Sequence, residues 1–164
     1  MPERPGGADD ARARVRSLQL VDFRNYANLR LPVASRFVVL HGDNGAGKTN
    51  LLEALSLLSP GRGLRRASYG EMARGGGSGG FSVRASLTPG DAPEGDLLDV
   101  LTLVRPDDAR VAETGAGATR VLRLDGVTVR TVDELLDHLR VVWLTPAMDG
   151  LFTGPGADRR RFLD

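Results

Sequence analysis

Phe37-Val38-Val39-Leu40-His41-Gly42-Asp43-Asn44-Gly45-Ala46-Gly47-Lys48-Thr49, continuing into Asn50-Leu51-Leu52-Glu53-Ala54-Leu55-Ser56-Leu57-Leu58, is the stretch on which the reading of this sequence turns. Phe37–Leu40 is wholly apolar and predicts a short strand covered on both faces. From Asn50 to Leu58 the apolar residues Leu51, Leu52, Ala54, Leu55 and Leu58 recur at helical spacing and predict one buried stripe. Pro60-Gly61 then ends the helix. Between strand and helix, Gly42–Thr49 satisfies the pattern G-x-x-x-x-G-K-[ST] at every fixed position.

Physical chemistry accounts for that spacing. A loop of this kind wraps a phosphate, with backbone N–H groups converging on a concave anion site. Glycines allow close approach and supply the positive φ that the bend demands. The helix beginning near Gly47 adds unpaired N–H groups and its positive dipole end. Lys48 is a mobile point charge for the β- and γ-phosphates. It is also the sole lysine among 22 basic residues. The Thr49 hydroxyl is a ligand for Mg²⁺. The expected ligand is ATP with Mg²⁺, held by Gly42, Asp43, Asn44, Gly45, Ala46, Gly47, Lys48 and Thr49. A glycine-rich β–α turn that binds nothing is the plain alternative. The apolar strand before the loop and the helix behind it argue against that alternative.

Working outward, residues 1–14 read as a disordered tail. Val15–Phe23 predicts a strand, Arg24-Asn25-Tyr26 a turn and Ala27–Leu31 a returning strand. Gly61–Gly80 reads as a Gly- and Arg-rich loop, with Gly75–Gly80 expected to be mobile. Strands are predicted at Phe81–Leu87, Leu97–Val104 and Thr119–Leu124. Asp125-Gly126 turns the last of these into Val127–Val129. Short connections make this insert, about 81–129, antiparallel. Thr131 and Glu134 form a capping box for a helix ending near Arg140. Val141–Leu144 predicts another apolar strand, stopped by Thr145-Pro146, and Asp158–Asp164 begins a helix. The expected class is α/β. A P-loop NTPase core comprises the strands within Val15–Leu40 and Val141–Leu144 and the Asn50–Leu58 helix, with an antiparallel β subdomain beside it.

Composition narrows the function. The chain has 164 residues, 41% hydrophobic and 26% charged, with a formal net charge of +1. Bulk charge therefore does not draw it to nucleic acid, and a DNA contact needs a local patch. There is no cysteine, which removes disulfides, thiolate zinc sites and cysteine nucleophiles. No apolar run reaches the length of a membrane span, and Met1–Arg14 lacks the apolar centre of a secretory signal. The expected location is the cytoplasm.

Four stretches carry a family resemblance. Leu20-Val21-Asp22-Phe23-Arg24-Asn25-Tyr26 resembles the opening strand of RecF proteins, and His41–Ala54 is similar to their phosphate loop and helix. Gly61-Arg62-Gly63-Leu64-Arg65-Arg66 resembles the arginine loop that follows. Leu144-Thr145-Pro146 with Arg159-Arg160-Arg161-Phe162-Leu163-Asp164 resembles a later segment of the family. The resemblance implies an ATPase head of ABC/SMC type in which two heads sandwich two nucleotides. It implies ATP-dependent binding of DNA at gaps as a homodimer, recombinational repair and the SOS response, and RecO- and RecR-type mediators as partners. By the same resemblance Arg24, Asn25 and Tyr26 lie near the nucleotide.

Ala147 stands where many family members carry glutamate, and that segment lacks the glutamine that related ATPases place near Mg²⁺. No Walker B acidic pair or signature motif follows within the sequence. A carboxy-terminal half is expected to supply them, and this stretch alone is expected to turn over ATP negligibly, with no catalytic residue of its own. Two other functions fit the loop: a different SMC-like ATPase, and a small nucleotide or metabolite kinase.

Other residues carry weaker signals. Arg62, Arg65 and Arg66 are candidates for DNA phosphates, against the simpler reading of a solvated surface. Arg159–Arg161 reads as the polar face of its helix. His41 reads as structural, His138 has no assigned role, and Trp143 reads as core. Asp22 and Asp149 do not have the spacing of a carboxylate pair.

Overall fold

Alternating apolar residues build the sheet. The computed structural model describes residues 13–89, 96–106, 120–136 and 138–148. In β3 (Phe81–Thr88) the residues Phe81, Val83, Ala85 and Leu87 are all buried, and the intervening residues are not. β4 (Leu98–Val104) repeats the pattern, as the two-residue period of a pleated strand requires. With β1 (Arg14–Phe23), β2 (Tyr26–Pro32), β5 (Val121–Leu124) and β6 (Val127–Thr128), these strands form one sheet of six in the order β2-β1-β3-β4-β5-β6. Every pairing is antiparallel. Asp125 and Gly126 take φ of 48° and 81° at the β5–β6 turn, the left-handed pair that such hairpins need.

Only one face of the sheet is covered by α1 (Lys48–Ser56) and the turn after it. Leu18, Leu20, Val83, Ala85, Val100, Leu122 and Leu124 join Ala54, Leu57 and Leu58 in a single core. Phe23 and Phe81 meet edge to face at 5.2 Å. Two short helices, α2 (Tyr69–Met72) and α3 (Val132–Leu136), follow the same logic, contributing buried Met72 and Leu135. Pro146–Met148 closes the described part as a 3₁₀ turn.

The structure departs from the sequence reading in three places. β1 and β2, assigned to the P-loop core, instead pair directly with the insert: Leu18 lies opposite Ala85, and Leu20 opposite Val83. Core and insert are thus one sheet. Phe37–Leu40 and Val141–Leu144 form no strand. An apolar run supplies β propensity but not a ladder partner, and no strand pairs with either run among the described residues. Phe37 and Val39 are consequently 83% and 85% exposed. α1 and the turn after it bury Ala54 and Leu58 and pack Leu51 and Leu55 on the core as predicted, but α1 turns Leu52 outward and Glu53 inward. Leu52 is 51% exposed while Glu53 is fully buried. α3 is described over Val132–Leu136, and the Leu139 N–H still donates to Leu135 C=O at 2.9 Å, in keeping with the expected end near Arg140. Its cap is split, because Thr131 Oγ1 accepts from Glu134 N–H while the Glu134 carboxylate accepts from Arg130 N–H. The predicted Asp158–Asp164 helix, with Arg159–Arg161, lies outside the described residues, as do the 1–12 part of the tail and Asp149.

Candidate nucleotide-binding site

Backbone conformation shapes the loop. Gly42, Gly45 and Gly47 all have positive φ, at 138°, 89° and 100°. Gly47 is the N-cap of α1 and offers no side-chain cap, and the first turn carries no acidic residue. The first helical bond runs from Leu51 N–H to Gly47 C=O at 3.1 Å. The N–H groups ahead of Leu51 are therefore the ones a helix start leaves for an anion. The Lys48 ammonium donates to the carbonyls of Gly42 and Asp43, both at 2.7 Å. The charge is thereby folded back across the loop that would hold the phosphates. Thr49 is exposed. The residues present fit a nucleotide phosphate and a hydroxyl-bound cation.

The β1–β2 turn braces this loop. Phe23 pairs with Tyr26 across it, and Arg24 sits in the left-handed region at φ 52°. A Cβ on Gly47 would meet the Tyr26 hydroxyl at 2.5 Å and Asn25 Nδ2 at 2.8 Å. Asn25 and Tyr26 thus lie against the loop, and burial pushes the Tyr26 phenol up. Arg24 points elsewhere. Its Nε and Nη2 donate to the two oxygens of Glu53 at 2.8 and 2.7 Å, and its Nη1 donates to Glu71 C=O at 2.7 Å.

Beyond α1 the arginine loop is tied to the same helix. Ser56 Oγ accepts from Leu64 N–H at 2.7 Å. Arg65 Nη1 donates to Asn50 Oδ1 at 3.0 Å and to Glu53 Oε2 at 3.2 Å. Arg62 and Arg66 are exposed. Arg120 closes the other end of α1. Its guanidinium donates to the carbonyls of Leu57, Ser59 and Gly61, and burial lowers its pKa.

Asp22 acts as a clamp. Its carboxylate accepts from Ser78 N–H at 3.0 Å and Arg74 Nε at 2.9 Å. The Ser78 backbone bond and then Arg74 hold its pKa down at about 2. The turn in Gly75–Gly80 is gripped by these bonds. His41 and His138 are exposed, and Trp143 is half-buried.

Sequence reasoning missed Glu53, Asn50 and Arg120. No local pattern marks them, since their partners lie 12 and 29 positions away for Glu53, 15 and 25 for Asn50, and 59 to 63 for Arg120. α2 fell inside the stretch read as loop, and its Ser68–Glu71 capping box, which fits the S-x-x-E signature, is the local signal that could have found it.

Fold and loop together define a P-loop NTPase fold of SMC type. A family model described as an AAA domain matches residues 17–83. Two solved structures share the fold: the recombination mediator protein RecF-ATPrS in the RecFOR pathway (TM-score 0.71, 22% identity, 93% of this chain, 37% of that one) and an SMC ATPase chain from work on ATP-driven dimerization and DNA stimulated activation (TM-score 0.67, 20% identity, 92% and 98%). The DNA replication and repair protein RecF of Rhizobium johnstonii is 59% identical over 148 residues, and that of Mesorhizobium japonicum 54% over 154. The chain belongs to the RecF family. It spans 36% and 38% of the length of these two relatives.

Proposed function

We propose that this chain is the nucleotide-binding part of an ATP-dependent DNA replication and repair protein of the RecF type. The observation that carries the reading is the loop itself. Three glycines bend it with positive φ, an acid-free helix start backs it, and a lysine amine is held on its carbonyls. Lys48 exchanges those two carbonyls for phosphate oxygens when ATP binds. Thr49 would hold Mg²⁺ through its hydroxyl, where the metal would supply neutralisation of phosphate charge. Asn25 and Tyr26 fix the loop from behind. Arg62, Arg65 and Arg66 are the candidate contacts for DNA phosphates. The family resemblance adds the wider expectations of this proposal: a homodimer on ATP, binding at DNA gaps, RecO- and RecR-type mediators, and a cytoplasmic place of action.

The test is binding of a fluorescent ATP analogue with Mg²⁺, with ADP and GTP as competitors. Lys48→Ala is expected to weaken binding tenfold or more, about 1.4 kcal/mol. Equal binding by both proteins, or by neither, removes the nucleotide assignment for this chain.

A further inference from the structure

The structure assigns to Glu53 a role that the phosphate-loop motif does not contain: it is the positioning residue that couples the nucleotide loop to the arginine loop. The inference rests on the nucleotide and polyanion reading above. A fully buried carboxylate requires ionic partners, and Glu53 has two from opposite sides. Arg24, on the turn that braces Gly47, covers both of its oxygens at 2.7 and 2.8 Å. Arg65, on the arginine loop, reaches Oε2 at 3.2 Å while its side chain stays 42% exposed. One helical turn earlier, Asn50 repeats the connection. Its Nδ2 donates to Asn25 Oδ1 at 2.8 Å, and its Oδ1 accepts from Arg65 at 3.0 Å. Asn50 and Glu53 stand three residues apart and so share one face of α1. That face joins two loops far apart in sequence, immediately behind Lys48 and Thr49.

The sharing has a consequence of sign. Arg65 spends one nitrogen on the interior and keeps the rest of its fork for an external anion. Arg24 has all three guanidinium nitrogens on protein acceptors, so its function is to hold the brace, not to bind phosphate directly. Glu53 therefore supports nucleotide binding through Arg24 and restrains polyanion binding through Arg65. A residue that only held the fold together would support both.

Glu53→Gln keeps the shape and removes the charge. Affinity for the Mg²⁺-ATP analogue should fall about tenfold, while affinity for a short DNA duplex at low salt should rise severalfold. Asp99→Asn removes the same charge from the Arg84 pair on the sheet, and it sets the general electrostatic gain that Glu53→Gln must exceed. Adding Arg65→Ala should abolish the excess. If both affinities fall together, or neither moves, the proposal is overturned. A readout without nucleotide separates this from failure of the functional reading: phenylglyoxal labelling of the arginines, mapped by mass spectrometry. Arg24 and Arg65 should react slowly in the wild type and approach the rate of Arg66 together in Glu53→Gln. If Lys48→Ala leaves nucleotide binding unchanged but the two arginines are released together, the functional reading fails and the coupling stands. Release of one alone, or of neither, overturns the coupling. Should Glu53→Gln fail to fold, Glu53→Asp keeps the charge but retracts it by a methylene. It should free Arg65 to label while melting stays cooperative, and unchanged labelling overturns the proposal.

Discussion

Gly47→Ala tests whether the β1–β2 turn braces the phosphate loop. Two costs apply. The first is conformational: Gly47 has φ 100°, where an L-residue is strained by roughly 1–2 kcal/mol. The second is steric. The new Cβ would stand 2.5 Å from the Tyr26 hydroxyl, 2.8 Å from Asn25 Nδ2 and 2.9 Å from Tyr26 Cζ. Tyr26 is half-buried and packs on the core, so it yields only by shifting the turn, at about 1–3 kcal/mol. The sum is about 2–5 kcal/mol. At the size of this chain, that lowers Tm by roughly 5–15 °C. Gly45→Ala is the internal control. Gly45 has φ 89°, but its Cβ would meet nothing within 4 Å, so only the conformational cost remains. The assay is chemical denaturation of both variants, repeated with Tyr26→Ala in each. Tyr26→Ala should recover a large part of the Gly47→Ala penalty and none of the Gly45→Ala penalty. Equal penalties for the two glycines, or no recovery with Tyr26→Ala, would refute the brace.

Two further outcomes follow from groups outside the loop. Asp22 has its folded pKa held at about 2, below the ordinary value of an aspartate. Its contribution is therefore complete above about pH 4 and is lost as the pH falls towards 2. Denaturation midpoints from pH 5 to pH 2 should drop more steeply in the wild type than in Asp22→Asn, and parallel curves would exclude the clamp. Arg120→Met keeps the bulk of the stem but leaves the carbonyls of Leu57, Ser59 and Gly61 without their shared donor. It should cost about 2–3 kcal/mol in urea denaturation. A loss under 0.5 kcal/mol would mean that water replaces the guanidinium.

How far the sequence was legible depended on whether a signal was local. Alternation in Phe81–Thr88 and the Asp125-Gly126 turn identified strands and a hairpin because both features lie within a few residues. The phosphate loop was legible for the same reason. Phe37–Leu40 and Val141–Leu144 were not, because apolar content says that a segment seeks cover without saying what lies beside it. The pairing of β1 with β3 was likewise hidden. It joins Leu20 to Val83 across the whole loop and helix, and a pattern of period two fixes a face but not a neighbour.

Glu53 shows why part of the site stayed out of view. The helical stripe counted apolar residues only, so it took in Leu52 and passed over the acid next to it. Leu52 is the more exposed of the two because Glu53 has Arg24 and Arg65 to meet and Leu52 has nothing comparable. A buried charge is set by its partners, not by its own hydropathy. Here those partners belong to the two segments, Arg24-Asn25-Tyr26 and Arg62–Arg66, that the sequence reading had set around the site without a connection between them. The connection is one helix face carrying Asn50 and Glu53. Arg24 accepts a left-handed backbone, φ 52°, at a position where glycine would be unstrained, because only a long cation at that turn can close on the carboxylate. Replacing it by glycine would relax the turn and strand the charge, so conformational cost at Arg24 and electrostatic gain at Glu53 are two sides of one arrangement.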